Sequence, residues 1–359
     1  MPLIHLTLFA PGLLRPETEY DAQNEPACPA LALLLGRGHS SECPPQATEA
    51  ALMTLFGYAT NTACATLRLR GESDVPTDAA TARWIAADPV HLHPDGESLI
   101  LVDDDTLPLA PEEAAALVDA LNDHFADLGA FYAASPERWY LRQATDILAN
   151  LDAPPLSAVA GRHLEQLPRG MMENMKILNL LNEIQSFLHT SPINRQREGN
   201  GRKPINSLWF WGDGTPAPTT TISPEFDLVL GADTLTRGLA RAAGLPARPL
   251  PEDADALLAD IAPGTRALLV FDTLEKTTHH ENDADYRQIL TALETRWFAP
   301  VWRALTDGRV GRLRLVAPNV RMKTLVRDAG RAATWRFWRR PQTLAETART
   351  LTVPVGEAA

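Results

Sequence analysis

Apolar residues along the chain recur with two periods. Short continuous runs bounded by turn residues predict buried strands, and spacing at i, i+3, i+4 and i+7 predicts helices. Residues 3–9 form a first strand that breaks at Ala10, Pro11 and Gly12. A short helix follows Pro29 and stops at Gly36, and a second covers 48–56 before Gly57. From about residue 88 the texture changes. Strands at 90–92 and 99–102 flank a turn at Pro94, Asp95 and Gly96, and a helix opens at Pro111 with Glu112 and Glu113 in its first turn. Proline at the first helical position and acids beside it suit the helix dipole. Strands at 131–134 and 139–141 complete a β-β-α-β-β stretch.

Residues 171–188 carry the strongest amphipathic pattern, on Ile177, Leu180, Leu181, Ile184, Phe187 and Leu188. Beyond it, strands at 207–211, 228–230, 267–271 and 313–316 alternate with helices at 232–243 and 283–306. Alternation of this length predicts an α/β fold, a mostly parallel sheet with helices on both faces. The β-β-α-β-β stretch predicts a small inserted α+β cap over 88–165, leaving 1–87 and 166–359 as the core.

Composition narrows the function classes. The chain has 359 residues, 45% of them hydrophobic, enough for a sizeable core. Its net charge of -12 repels phosphate backbones and anionic lipid, so neither nucleic acid nor membrane is an expected partner. One basic run, Arg336 to Arg340 with Trp335 and Trp338, runs against that balance and reads as a nucleic-acid patch or as a solvated segment. Cys28, Cys43 and Cys64 are odd in number and widely spaced, which fits a reducing compartment. No basic leader opens the sequence and no apolar run reaches membrane-spanning length, so the expected location is cytoplasmic.

Candidate chemistry gathers where strands end, because ligands of open parallel sheets sit at the carboxyl ends of the strands. Asp272 follows an apolar run, and His279, His280, Glu281, Asp283 and Asp285 come soon after. Imidazole with carboxylate suits zinc or manganese. The same residues also read as a polar loop opening a helix, with Asp283 as its cap. Trp211-Gly212-Asp213-Gly214 allows close backbone approach to a ligand, or is a plain turn. Arg195, Arg197, Arg202 and Lys203 form a cationic stretch in an acidic chain, an anion grip or a solvated loop. At the end of the first strand, Ala10, Pro11 and Gly12 offer no ligating side chain.

Taken in order, several segments resemble cofactor-independent, archaeal-type phosphoglycerate mutases of the alkaline-phosphatase superfamily. Residues 206–214, 230–238 with Ala243 and Gly244, 181–183 with 191–197, and 29–38 are each similar to a family segment. Their collinearity carries the resemblance more than any one motif. It implies an alkaline-phosphatase-like core with an inserted cap, two divalent metals and a serine nucleophile. Carried across, the nucleophile position is Thr48 and a ligand histidine becomes Leu52. Only Arg15-Pro16 survives of the first metal loop. Asp272, His279 or His280, and Asp283 survive of another, and 316–319 replaces the last ligand pair. This pattern is similar to a shorter bacterial branch labelled RpfE-type regulatory proteins.

The resemblance therefore implies no cofactor or one residual divalent metal, manganese or zinc. It leaves two expectations. One is a catalytically degenerate regulatory or ligand-binding protein, whose partner is a phosphorylated small molecule or another protein. The other is an active metal-dependent phosphomutase or phosphatase using Thr48.

Overall fold

A computed structural model describes residues 3–16, 25–59, 61–95, 98–102, 107–149, 151–161, 174–215, 224–275 and 283–352. In chain order the strands are β1 (Ile4–Phe9), β2 (His39–Cys43), β3 (Trp84–Asp95), β4 (Ser98–Val102), β5 (Gly129–Ala133), β6 (Trp139–Gln143), β7 (Ser207–Trp211), β8 (Leu228–Leu230), β9 (Ala247–Arg248), β10 (Arg266–Val270), β11 (Val310–Ala317) and β12 (Thr324–Gly330). The chain divides into two compact units.

The first unit comprises Met1–Phe56, Ser223–Thr236 and Ala243–Ala359. Its seven-stranded sheet runs β2-β12-β11-β1-β10-β8-β9. Strand β1 lies parallel to both β10 and β11, and β8 lies parallel to β10 and β9. Only β12, between β11 and the edge strand β2, runs against the others. Parallel strands covered on both faces need continuous apolar runs, which is why β8 and four of the five residues of β10 are buried. Leu6, Leu8, Leu269, Leu313 and Leu315 share one core with Leu31, Leu34, Tyr286, Leu290, Trp297 and Val301 from the helices.

The sequence predicts one long helix over 283–306. The chain instead forms Asp283–Leu293, a π-helical turn Glu294–Phe298, and Ala299–Thr306. Pro300 has no N–H to give the carbonyl four residues back, and the wider turn absorbs that missing bond. The turn also carries buried Glu294, whose carboxylate accepts Ala30 N–H at 2.8 Å and Leu31 N–H at 3.2 Å. The helix Pro29–Arg37 has no side-chain cap of its own at Cys28, so Glu294 serves as that cap.

The second unit comprises Gly57–Ile222 and Arg237–Ala242. It takes in the predicted 88–165 insert together with sequence on either side of it. Its strands are ordered β4-β3-β6-β5, with β7 added on β3, and every pairing is antiparallel. Residues 207–211, expected to end at the ligand edge of the parallel sheet, therefore lie in a different sheet. All five are buried, and a fully buried strand looks the same in either setting.

At the centre of this unit Asp88, 1% exposed, accepts four hydrogen bonds. Two come from the Arg68 fork at 2.8 and 2.7 Å, one from Trp139 N–H at 3.2 Å and one from the Trp211 indole at 2.7 Å. The Arg68 guanidinium also lies over the rings of Tyr140 and Trp211, at 4.6 and 4.8 Å.

Candidate functional site

In the first unit the carboxyl ends of β1, β10 and β11 lie side by side. Ala10 N–H donates to Val316 O at 2.9 Å, and Phe271 N–H donates to Phe9 O at 2.8 Å. Past β1 the chain turns at Gly12 with φ 75°, and a Cβ there would lie 2.6 Å from the backbone nitrogen of Glu275. Glycine therefore allows the β1 turn to pack directly against the segment that follows β10. Gln46 N–H donates to Asn319 O at 2.9 Å, which ties the helix Thr48–Leu55 to the end of β11. Thr48 is the first residue of that helix, and its hydroxyl donates to the Glu275 carboxylate. Glu275 was not singled out in the sequence, since nothing local links it to a threonine 227 positions earlier.

Asp272 stands half-buried at the end of β10. Asp283 accepts from Arg15 Nη1 at 2.6 Å. Arg15 is 4% exposed and its guanidinium rests 3.8 Å from the centre of the Tyr286 ring. The Tyr286 hydroxyl in turn donates to Leu13 O at 2.8 Å, fixing the loop that carries Arg15. Asn319 gives its amide to Leu14 O at 3.0 Å and accepts Arg321 N–H and Met322 N–H at 2.8 and 3.1 Å. His279 and His280 lie outside the described residues.

Among the described residues no group of three or more His, Cys, Asp and Glu comes together as a metal site. The β1 turn contributes no ligating side chain, Asp283 faces a guanidinium, and Asn319 is used as a loop staple. The described residues alone do not make up a donor set for two divalent ions.

The second unit holds a cavity of about 440 Å³ whose lining includes Thr66, Arg70, Thr81, Arg83, Asp213 and Thr215. Arg83 grips Asp213 with Nε at 3.2 Å and Nη2 at 2.7 Å. Gln143 Nε2 adds a third contact to Asp213 at 3.2 Å. The Arg70 guanidinium makes no hydrogen bond or ion pair with the described residues. Burial pushes the Tyr58 phenol up, and the nearby Arg70 charge pulls it back. Arg70, the Arg83–Asp213 pair and three hydroxyl side chains thus line a cavity of ligand size. The 212–214 turn, read from sequence as ligand approach or plain turn, supplies part of this lining.

The cationic stretch divides. Arg197 is fully buried and donates to Glu113 at 2.7 Å, to Lys203 O at 2.9 Å and to Pro108 O at 3.1 Å. Arg202 pairs with the same carboxylate at 2.6 Å. Burial would raise Glu113, but the Ala110 N–H and then these two guanidinium groups hold it below its ordinary value. Arg195 and Lys203 are exposed, and Arg195 reaches Thr190 O at 2.9 Å. The four do not present one surface.

The architecture is an alkaline-phosphatase-like α/β fold built on a mostly parallel sheet. It aligns with the PH0037 protein of Pyrococcus horikoshii at a TM-score of 0.53 and 15% identity, over 96% of this chain and 92% of that one. A cofactor-independent phosphoglycerate mutase from Thermoplasma acidophilum gives a TM-score of 0.48 at 16% identity, over 97% and 95%.

The sequence relatives are cofactor-independent phosphoglycerate mutases. The chain is 29% identical over 137 residues to the 2,3-bisphosphoglycerate-independent phosphoglycerate mutase 2 of Methanothermobacter thermautotrophicus, covering 37% of this chain and 34% of that protein. It is 26% identical over 211 residues to a probable enzyme of the same name from Geobacter sulfurreducens, covering 56% and 51%. In these matches the chain spans between a third and a half of the relatives' length. No protein-family model matches. No helix among the described residues is long and apolar enough to cross a membrane.

Proposed function

We propose that this chain is a phosphoglycerate mutase-like protein that binds an anionic metabolite without transferring its phosphoryl group, in the manner of a regulatory, RpfE-type protein. The observation that carries the reading is the Arg15–Asp283 ion pair beside a β1 turn with no carboxylate. A phosphoryl transfer with an alkoxide nucleophile needs positive charge on the attacking and transferred oxygens. Here a retained acid has its charge balanced by a guanidinium. The cavity at Arg70 supports a binding role, since a cation with neighbouring hydroxyls suits a phosphate or carboxylate group.

The test pairs elemental analysis of the purified protein, with and without added manganese or zinc, with calorimetric titration of phosphoglycerate. The reading expects no stoichiometric metal, binding that is lost in Arg70→Ala, and no mutase or phosphatase turnover. A bound ion with turnover that disappears in Thr48→Ala would overturn it.

A second reading, an active phosphomutase or phosphatase with Thr48 as nucleophile, is favoured by one observation. The Thr48 hydroxyl sits at a helix N-terminus and is hydrogen-bonded to a carboxylate, the arrangement of a hydroxyl beside a general base. In this case Glu275→Gln would abolish turnover while leaving phosphoglycerate binding intact.

A further inference from the structure

Five large hydrophobic side chains are exposed among the described residues, and three of them fall within four positions. Trp335, Phe337 and Trp338 are 67%, 79% and 69% exposed, and the last two meet edge to face at 5.3 Å. Arg336, Arg339 and Arg340 are interleaved with them, Arg331 precedes them, and no acid occurs between 331 and 340.

This turn is held firmly. Arg336 N–H, Phe337 N–H and Arg339 N–H close it onto Ala333 O, Trp335 O and Arg336 O at 3.2, 2.9 and 3.0 Å. Both ends are fastened to the helix Pro29–Arg37. Arg37 Nη1 donates to Thr334 O at 3.1 Å, and Arg336 Nη1 donates to Arg37 O at 3.0 Å. Gln342 N–H donates to Ala32 O at 3.0 Å. Between these points a Cβ on Gly36 would stand 2.1 Å from Arg340 O, so backbone lies directly on backbone. A solvated tail would need none of this. The contacts fix a platform whose aromatic rings are exposed to water, and fixing them in advance removes ordering entropy from any later binding. Tryptophan and arginine are the side chains that most often anchor interfaces.

We propose that the 335–340 turn docks a short acidic segment, bearing apolar side chains, of a partner protein. Charge selects this occupant. The chain as a whole carries -12, while the turn is purely basic. A nucleic acid or an anionic bilayer is extended and meets more of this net-acidic chain than the turn alone. A short segment interacts within about one screening length, roughly 8 Å, where the arginines prevail over Glu346, which lies 3.7 Å from Arg340. Apolar side chains in the segment cover the rings, and its carboxylates meet Arg339 and Arg340 as forks.

The experiment selects binders to the full chain from a displayed library of random peptides of about twelve residues. Selected peptides are then titrated against wild type, Trp335→Ala/Trp338→Ala and Arg339→Glu/Arg340→Glu. These residues are exposed, and Arg336, which clamps the turn, is left in place. Matching circular dichroism and melting curves certify the variants. The expected result is enrichment of acidic, apolar-bearing peptides whose affinity falls about ten-fold or more in each variant. Failure to enrich peptides, enrichment without acidic bias, or affinity unchanged in both variants overturns the proposal. So does tighter binding to phosphatidylserine vesicles that the same variants abolish, which would make the turn a membrane contact. Self-association in sedimentation that the same variants abolish would instead make the occupant a second copy.

Discussion

Removing the Asp88 carboxylate probes the second unit most directly. In Asp88→Ala the Arg68 guanidinium stays buried without its counter-ion, and the Trp211 indole and Trp139 N–H lose their acceptor. Breaking one partner out of a buried pair costs about 3–5 kcal/mol, because the remaining charge stays desolvated. Burial alone would lower the Arg68 value, and in the wild type the Asp88 carboxylate more than offsets this. Without it the guanidinium still keeps its proton, because arginine's intrinsic basicity lies far above neutral pH, and so it cannot escape the penalty. For a unit of this size each kcal/mol moves the melting temperature by about 2–4 °C, so the expected drop is roughly 6–20 °C.

Tryptophan fluorescence during urea unfolding suits the measurement, since Trp84, Trp139, Trp209 and Trp211 all lie in this unit. Replacing both charges, Arg68→Met with Asp88→Leu, removes the stranded charge and is expected to be much milder than the single change. A loss below about 1 kcal/mol in Asp88→Ala, or a double variant worse than the single, would refute the claim that Asp88 neutralises Arg68.

Two further outcomes follow from the first unit. Glu294→Ala removes the acceptor for Ala30 N–H and Leu31 N–H and should cost about 1–2 kcal/mol in thermal or urea unfolding. Burial raises the Glu294 value above 4.5, against the pull of those two N–H groups. The folded state therefore holds this proton more tightly, and the stability it adds is complete below 4.5 and is lost as pH rises through the raised value. Relative to Glu294→Gln, wild type should lose stability over that window, and a pH-independent difference between the two would contradict the assignment. Burial, with Glu294 and Glu25 nearby, pushes the Cys28 thiol up to about 12 from 9.0. Iodoacetamide at neutral pH, followed by peptide mass spectrometry, should label Cys28 at least about a hundred-fold more slowly than a free thiol. Labelling at the free-thiol rate would count against its burial.

Much of the parallel sheet was legible because its strands are covered on both faces and therefore spell continuous apolar runs. The same legibility misled at β7, where five buried residues gave no sign of which sheet they join. Strand β2 escaped notice because it is a polar edge, His-Ser-Ser-Glu-Cys, with no buried residue. Two buried acids did leave a trace. Glu294 lies on the helical stripe of Leu290, Trp297 and Val301, and Asp88 interrupts the apolar run from Trp84 to Val90. A charge on a core-facing stripe demands a partner. Its identity was hidden, because Ala30 is 264 positions from Glu294, and Trp211 is 123 from Asp88. The Thr48–Glu275 contact was hidden in the same way.

The strand-end groups of the first unit form a consistent electrostatic arrangement rather than a set of isolated losses. Removing acids from a metal site in a piecemeal way would strand those that remain, and a buried or half-buried carboxylate without a counter-charge is costly. The acids that remain here are provided for differently. In the pair of Arg15 with Asp283 the guanidinium is the buried charge and exposed Asp283 its counter-ion, while Arg15 is steadied by Tyr286 and Tyr286 is tied to the backbone at Leu13. Glu275 has the Thr48 hydroxyl, and Asn319, in the segment that replaces the last ligand pair of the resemblance, joins the loop through Leu14. These contacts join the β1 loop, the segment after β10, the segment after β11 and the helix Thr48–Leu55. Hydrogen bonds and one guanidinium therefore link these segments to one another. On the proposed binding reading these contacts hold the fold without a cation, so treatment with a chelator is expected to leave the melting temperature unchanged, and a marked drop would count against it.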